Sequence, residues 1–198
     1  MTYASESPRA TAPAEPSGVI ATSAAVLALL AGLCNLWGER TVLNALGARP
    51  HLDKSLAVFS ILGALLAAIA LIYGAIQLLR RDETARYILI LTSGLLTVFA
   101  LIALVCSLTG YQPDYGIDWL PKQRQSQEIL NGTFNGLIGT LTALLHREWI
   151  ASLTAAILPL AVFLLASSRY TARWVAYTSP RLRAGIPDSQ TTFGSVDA

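Results

Sequence analysis

Apolar positions in this chain gather into long uncharged runs, and the charged positions into short breaks between them. From Ser55 to Leu79, and again from Tyr87 to Pro113, no Asp, Glu, Lys, Arg or His occurs. Between the two runs stands Arg80-Arg81-Asp82-Glu83-Thr84-Ala85-Arg86. About 20 apolar residues let a helix cross the hydrocarbon of a bilayer, so each run is long enough to span it. A break this short joins the two spans as an antiparallel hairpin, with its arginines on one membrane face. Two more uncharged runs lie outside the pair, one from Gly18 to Trp37 and one from Trp149 to Ser168. The pattern predicts an all-α membrane protein with four transmembrane helices, over 18–37, 55–79, 87–109 and 149–168, in an up-and-down bundle. A partly helical outer loop, 110–148, connects helices 3 and 4.

Small residues recur at helical spacing within these runs. Ala24, Ala28 and Gly32 share one face, as do Gly63/Ala67, Ala70/Gly74, Ser93/Thr97, Ala103/Ser107 and Ala151/Ala155. Such faces let helix backbones approach closely where water supplies no driving force, and a partner helix can use them as well. Pro159 sits near the middle of the fourth span, where it removes one backbone hydrogen bond.

The connecting stretches read differently. Residues 1–17, proline-bearing and without apolar periodicity, form a tail by composition. Leu33 before Cys34 is too bulky for a lipoprotein cleavage site, so the first span is expected to stay in the protein. In the 39–54 linker a short interfacial helix is expected over Thr41 to Ala48, stopped by Gly47 and Pro50. After Arg169 and Arg173 periodicity fades, and 169–198 reads as a second tail. Residues 129–145 are uncharged, but Asn131-Gly132 and Asn135-Gly136 are turn signals and argue against a fifth crossing. Leu130, Phe134, Leu137, Leu141 and Leu144 follow a 4-3-4-3 spacing with Ile138 and Leu145 beside them. That makes an apolar stripe on a helix that breaks before Leu137 and then runs on into the fourth span.

Composition agrees with a membrane protein. Charged residues make up 13% and the mean hydropathy is +0.52, whereas soluble domains carry about a quarter charged residues. A net charge of +2 gives no case for nucleic acid. Twelve arginines against two lysines, with much alanine, suggest a bacterial source. Eight basic residues fall in the two tails and the 80–86 turn, against six in the other two loops. By the positive-inside rule both termini are expected in the cytoplasm, the protein being multi-pass in the cell (inner) membrane. Trp37 and Trp149 would then mark the outer interface, and Tyr87, Tyr170 and Trp174 the inner one. Cys34 and Cys106 fall on spans that are diagonal in a four-helix ring, so free thiols are expected.

Candidate chemistry is sparse. Asn35, Tyr73, Gln77, Thr92, Ser93 and Thr97 are the main polar candidates within the runs, and interhelical or own-backbone hydrogen bonds account for them. His51 and Asp53 are two ligand types where a metal site needs three or four. Asp114 and Asp118, bounded by Pro113 and Pro121, have no fixed separation. His146, Arg147 and Glu148 suit an interfacial anchor. Leu36-Trp37 is similar to the Trp-bearing first loop of claudins, but the loop cysteines of that family are missing. The larger second loop resembles the tetraspanin layout without its Cys-Cys-Gly signature. No catalytic or cofactor motif stands in the chain, so no enzyme, cofactor or metal is expected. The expectation is a structural or accessory subunit in the lipid bilayer, binding another membrane or envelope protein or its own copies. Leu130, Phe134, Leu137 and Leu141, with Asp114 and Asp118 on the rim, are the candidate partner-binding residues. A small oligomeric channel or transporter with a path between protomers is the alternative.

Overall fold

The computed structural model describes residues 17–48, 54–110, 133–146 and 148–177. Its order is α1 (Val19–Ala48), α2 (Lys54–Leu79), α3 (Glu83–Thr109), α4 (Gly136–His146), α5 (Trp149–Ser167) and α6 (Arg169–Ala176). α1, α2, α3 and α5 are long and apolar enough to cross a membrane, and no strand occurs among the described residues.

Three boundaries differ from the sequence reading, the first being α3, which starts at Glu83 and not at Tyr87. α1 does not stop at Trp37 but runs unbroken for 30 residues through the expected interfacial helix. Gly38 and the charged pair Glu39-Arg40 do not end it, because a charge ends only the apolar run, not the helix. At 1.5 Å per residue α1 is about 45 Å long, more than the about 30 Å that a crossing of the hydrocarbon needs. The 169–198 segment does not begin as a tail, since Arg169–Ala176 is helical. Ser168 starts α6, with its hydroxyl accepting from the Thr171 N–H at 3.2 Å.

The charged break is a compact turn. The Arg81 N–H donates to the Leu78 carbonyl and the Asp82 N–H to Gln77, at 3.0 and 3.1 Å. This pair of bonds closes a helix in the Schellman manner. Arg81 occupies the left-handed position with φ 64°, where glycine is usual. Asp82 then caps α3, its carboxylate accepting from the Thr84 N–H at 2.9 Å.

Packing is inside-out relative to a soluble protein. Buried positions are mostly small residues, alanine foremost, among them Ala24, Ala28, Ala68, Ala100 and Ala156, with Ser93, Thr97 and Ser152. Large side chains such as Leu33, Leu66, Leu91 and Leu164 point outward. In water that surface would be costly, whereas in lipid the close approach of small residues holds the helices together. The repeated small-residue faces are therefore mostly used inside the chain: Ala67, Gly74, Ala103, Ala151 and Ala155 are all buried, which removes them as partner surfaces. α1 packs most closely on α2, and α3 on α5; α2 also meets α3, and α1 meets α5.

At one end of the molecule these helices meet α6. The Arg81 guanidinium lies 4.9 Å from the Trp174 ring centre, and Gly18 lies directly against the same ring. Trp174 is buried, and Tyr87 and Tyr170 are the exposed aromatics of that end. Arg86 donates from Nε to the Ala166 carbonyl at 3.0 Å, which satisfies an acceptor at the last turn of α5.

Candidate functional site

The opposite end carries the features that distinguish this chain from a plain bundle, and they converge on α4. This helix touches all four long helices. It begins at Gly136, after a bend at Asn135, so the Asn-Gly turn signal is honoured. It does not continue into the fourth span. Glu148 leaves helical geometry (φ −86°, ψ 86°), its N–H reaches back to the Ala143 carbonyl at 3.0 Å, and α5 starts afresh at Trp149.

Asn35 of α1 holds the start of α4. Its Oδ1 accepts from the Leu137 N–H at 3.0 Å. Its Nδ2 donates to the Ala31 carbonyl at 2.8 Å. The first N–H groups of a helix have no partner within it, and away from water such an orphan costs free energy. A side chain from another helix thus does the work of a cap. Two glycines make the approach possible. Gly136 has φ +53°, and a β-carbon there would stand 2.6 Å from the Asn35 amide. A β-carbon on Gly38, one turn along α1, would collide with the Asn135 carbonyl oxygen.

Glu39, beside Gly38, is also buried, and its Oε1 meets no hydrogen-bond donor among the described residues. The sequence reading placed it in a loop, where its burial carried no signal.

α4 turns its small face inward. Ile138, Gly139, Thr140, Thr142 and Ala143 are buried, and the two threonines bond to the Gly136 and Ile138 carbonyls at 3.2 and 2.9 Å. In this interior hydroxyls folded onto their own backbone pack as small residues. The leucine stripe is split by this choice. Leu137 and Leu141 are half-buried, and they line an open apolar groove of about 600 Å³ with residues of α2 and α3. Phe134 is 52% exposed. Leu130, Asp114 and Asp118 lie outside the described residues, as do His51, Asp53 and Arg147. The structure thus brings Leu137 and Leu141 together and leaves Phe134 apart from them.

The remaining polar residues behave as expected of helix-packing groups. Thr97 donates to the Ser93 carbonyl at 2.7 Å, Ser93 to Leu89, and Gln77 to the Tyr73 hydroxyl at 3.0 Å. Cys34 and Cys106 are free thiols. No group of three or more His, Cys, Asp or Glu able to hold a metal occurs among the described residues. No protein-family profile, curated protein or solved structure matches the chain.

Proposed function

We propose that this chain is a multi-pass membrane protein serving as a structural or accessory subunit, which binds another membrane or envelope protein at its α4 end. In this reading the four spans form an up-and-down bundle, both termini lie in the cytoplasm, and residues 110–148 face outward. The observation that carries it is the use made of polar side chains. Within the spans the hydroxyls of Ser93, Thr97 and Ser152 return to their own backbones, and the helices close on one another through alanine. Transport or catalysis calls for ionisable or converging polar groups within or between spans; the uncharged runs of the four helices offer none among the described residues, and the buried Glu39 lies past the run of α1 that ends at Gly38.

The geometry of α4 supports a cap lying along the membrane surface. Asn35 is about 24 Å along α1 from Val19, and Trp149 about 27 Å along α5 from Ser167. A helix of 11 residues, about 16 Å long, therefore starts and ends at nearly the same depth. Phe134, just before α4, is exposed beside this cap; Leu130, Asp114 and Asp118 are assigned to the same partner surface from the sequence alone.

Replacing Phe134 with serine tests the reading, because an exposed side chain contributes little to the fold. Affinity purification from native membranes in mild detergent should recover a larger partner with the natural chain. The Phe134→Ser variant should recover less at unchanged abundance and melting temperature. Equal recovery would remove Phe134 from the partner surface, and no co-purifying protein at all would contradict the subunit reading.

A further inference from the structure

The end of the molecule away from α4 gathers arginine. Arg81 and Arg86 belong to the turn between α2 and α3 and the start of α3, and Arg169 and Arg173 to α6. An excess of arginine on one membrane face orients a chain wherever those arginines stand. Here the fold goes further and draws separate segments to one corner. The Arg81 guanidinium lies over the Trp174 ring, and the Arg86 Nε donates to the Ala166 carbonyl, 80 positions away. Both ties join the turn to the junction of α5 and α6. Arg173 precedes Trp174 in the chain, and Arg169 stands three residues beyond Ala166.

The short helix α6 is held in place and turns its charges outward. Thr171 donates from its hydroxyl to the Leu165 carbonyl at 2.7 Å, and Thr171 and Trp174 are buried. Arg169 and Arg173 are exposed, with Tyr170 beside them, and residues four apart are neighbours on a helix surface. Acids do not balance this corner. Asp82 is engaged in the cap of α3, and Glu83 is the other acid of the turn. Among the described residues neither Arg169 nor Arg173 pairs with a carboxylate. Guanidinium groups gathered in this way repel one another, and an anion among them relieves the repulsion. Their planar forks match phosphate oxygens bidentately. The corner lies at the ends of the long apolar helices, beside the exposed Tyr87 and Tyr170, and amphipathic rings of that kind sit at the headgroup level. The anion found at that level is the lipid phosphate, and basic pockets between helix ends hold anionic headgroups.

We propose that Arg169 and Arg173, with Arg81 and Arg86 of the turn, form a binding site for the headgroup phosphate of an anionic phospholipid in the leaflet on the α6 side. The inference rests on membrane insertion but not on the protein partner proposed above, and its test needs no partner. The purified full-length chain in detergent is given equal amounts of phosphatidylglycerol and phosphatidylcholine with the same acyl chains. The lipids it retains are counted by native mass spectrometry. Phosphatidylglycerol should be retained several-fold over phosphatidylcholine. Arg169→Gln with Arg173→Gln should abolish that preference. Arg169→Lys with Arg173→Lys keeps the charge but not the fork, and should also weaken retention several-fold. Equal retention of the two lipids by the natural chain overturns the proposal, whether or not any variant folds. So does a preference that the glutamine pair leaves unchanged, or a lysine pair that retains phosphatidylglycerol as well as the arginines do, which would mean surface charge without a site. Release of the lipid by inorganic phosphate would mean a soluble anion as the occupant and overturns it too.

Discussion

Asn35 and Leu137, 102 positions apart in sequence, are joined by a hydrogen bond of 3.0 Å from the Leu137 backbone N–H to the Asn35 side-chain oxygen. Through it the first span fixes where the segment before the fourth span turns into a helix. Asn35 is 2% exposed, so both ends of its amide act out of contact with water. An Asn35→Ala change leaves the Leu137 N–H without its partner, at about 1–3 kcal/mol. Thermal unfolding in detergent should show that loss, and protease cleavage near residue 135 should rise. A variant with unchanged melting temperature and unchanged cleavage would mean that α4 is held by something else.

The two glycines at this junction give a second, independent test. Gly136→Ala puts a β-carbon into a left-handed conformation and against the Asn35 amide, a strain of about 1–3 kcal/mol. Gly38→Ala strikes the Asn135 carbonyl, a backbone atom that cannot rotate away. Gly94 is the control, because a β-carbon there would meet only the Phe163 ring edge at 3.3 Å. The first two variants should lose more stability than Gly94→Ala; equal losses would argue against a tight junction.

Much of the fold was legible in the uncharged runs, because a spanning helix is specified by what it lacks. Lys54–Leu79 and Trp149–Ser167 fall within about a residue of expectation. What was hidden had a local cause in each case. Glu39 looks like the end of a span, yet α1 is a continuous helix through the charged pair Glu39-Arg40. Arg81 takes a left-handed turn position that sequence assigns to glycine or asparagine, and its contact with Trp174 depends on three segments meeting. The site was readable only in part. Asn135-Gly136 signalled a break, but nothing local to Asn35 marks it as the cap of a helix a hundred residues away. The leucine spacing of α4 gave its helical form but not its inward face, because leucine-rich faces point inward in water and can point outward in lipid.

The thiols report on the same inside-out packing. Cys106 lines a shallow apolar depression with Val98, Leu101, Ile102 and Val105, and Cys34 is half-buried. A lipid-soluble maleimide should label Cys106 in native membranes, while a charged, membrane-impermeant one should not. The denatured, unreduced protein should present both thiols. Labelling of native Cys106 by the charged reagent would contradict its lipid-facing position, and no reactive thiol after denaturation would indicate a disulfide.

The central claim is four crossings, with α4 as a cap and not a fifth span. Single cysteines placed by Ser5→Cys, Ser126→Cys and Ser189→Cys, in a chain with Cys34 and Cys106 replaced by alanine, test it in intact cells. An impermeant maleimide is applied before and after the cells are opened. The account predicts that position 126 reacts in intact cells, and that positions 5 and 189 react only once the cells are opened. If positions 5 and 189 instead prove to lie on opposite sides of the membrane, the chain crosses an odd number of times and the four-span account is wrong.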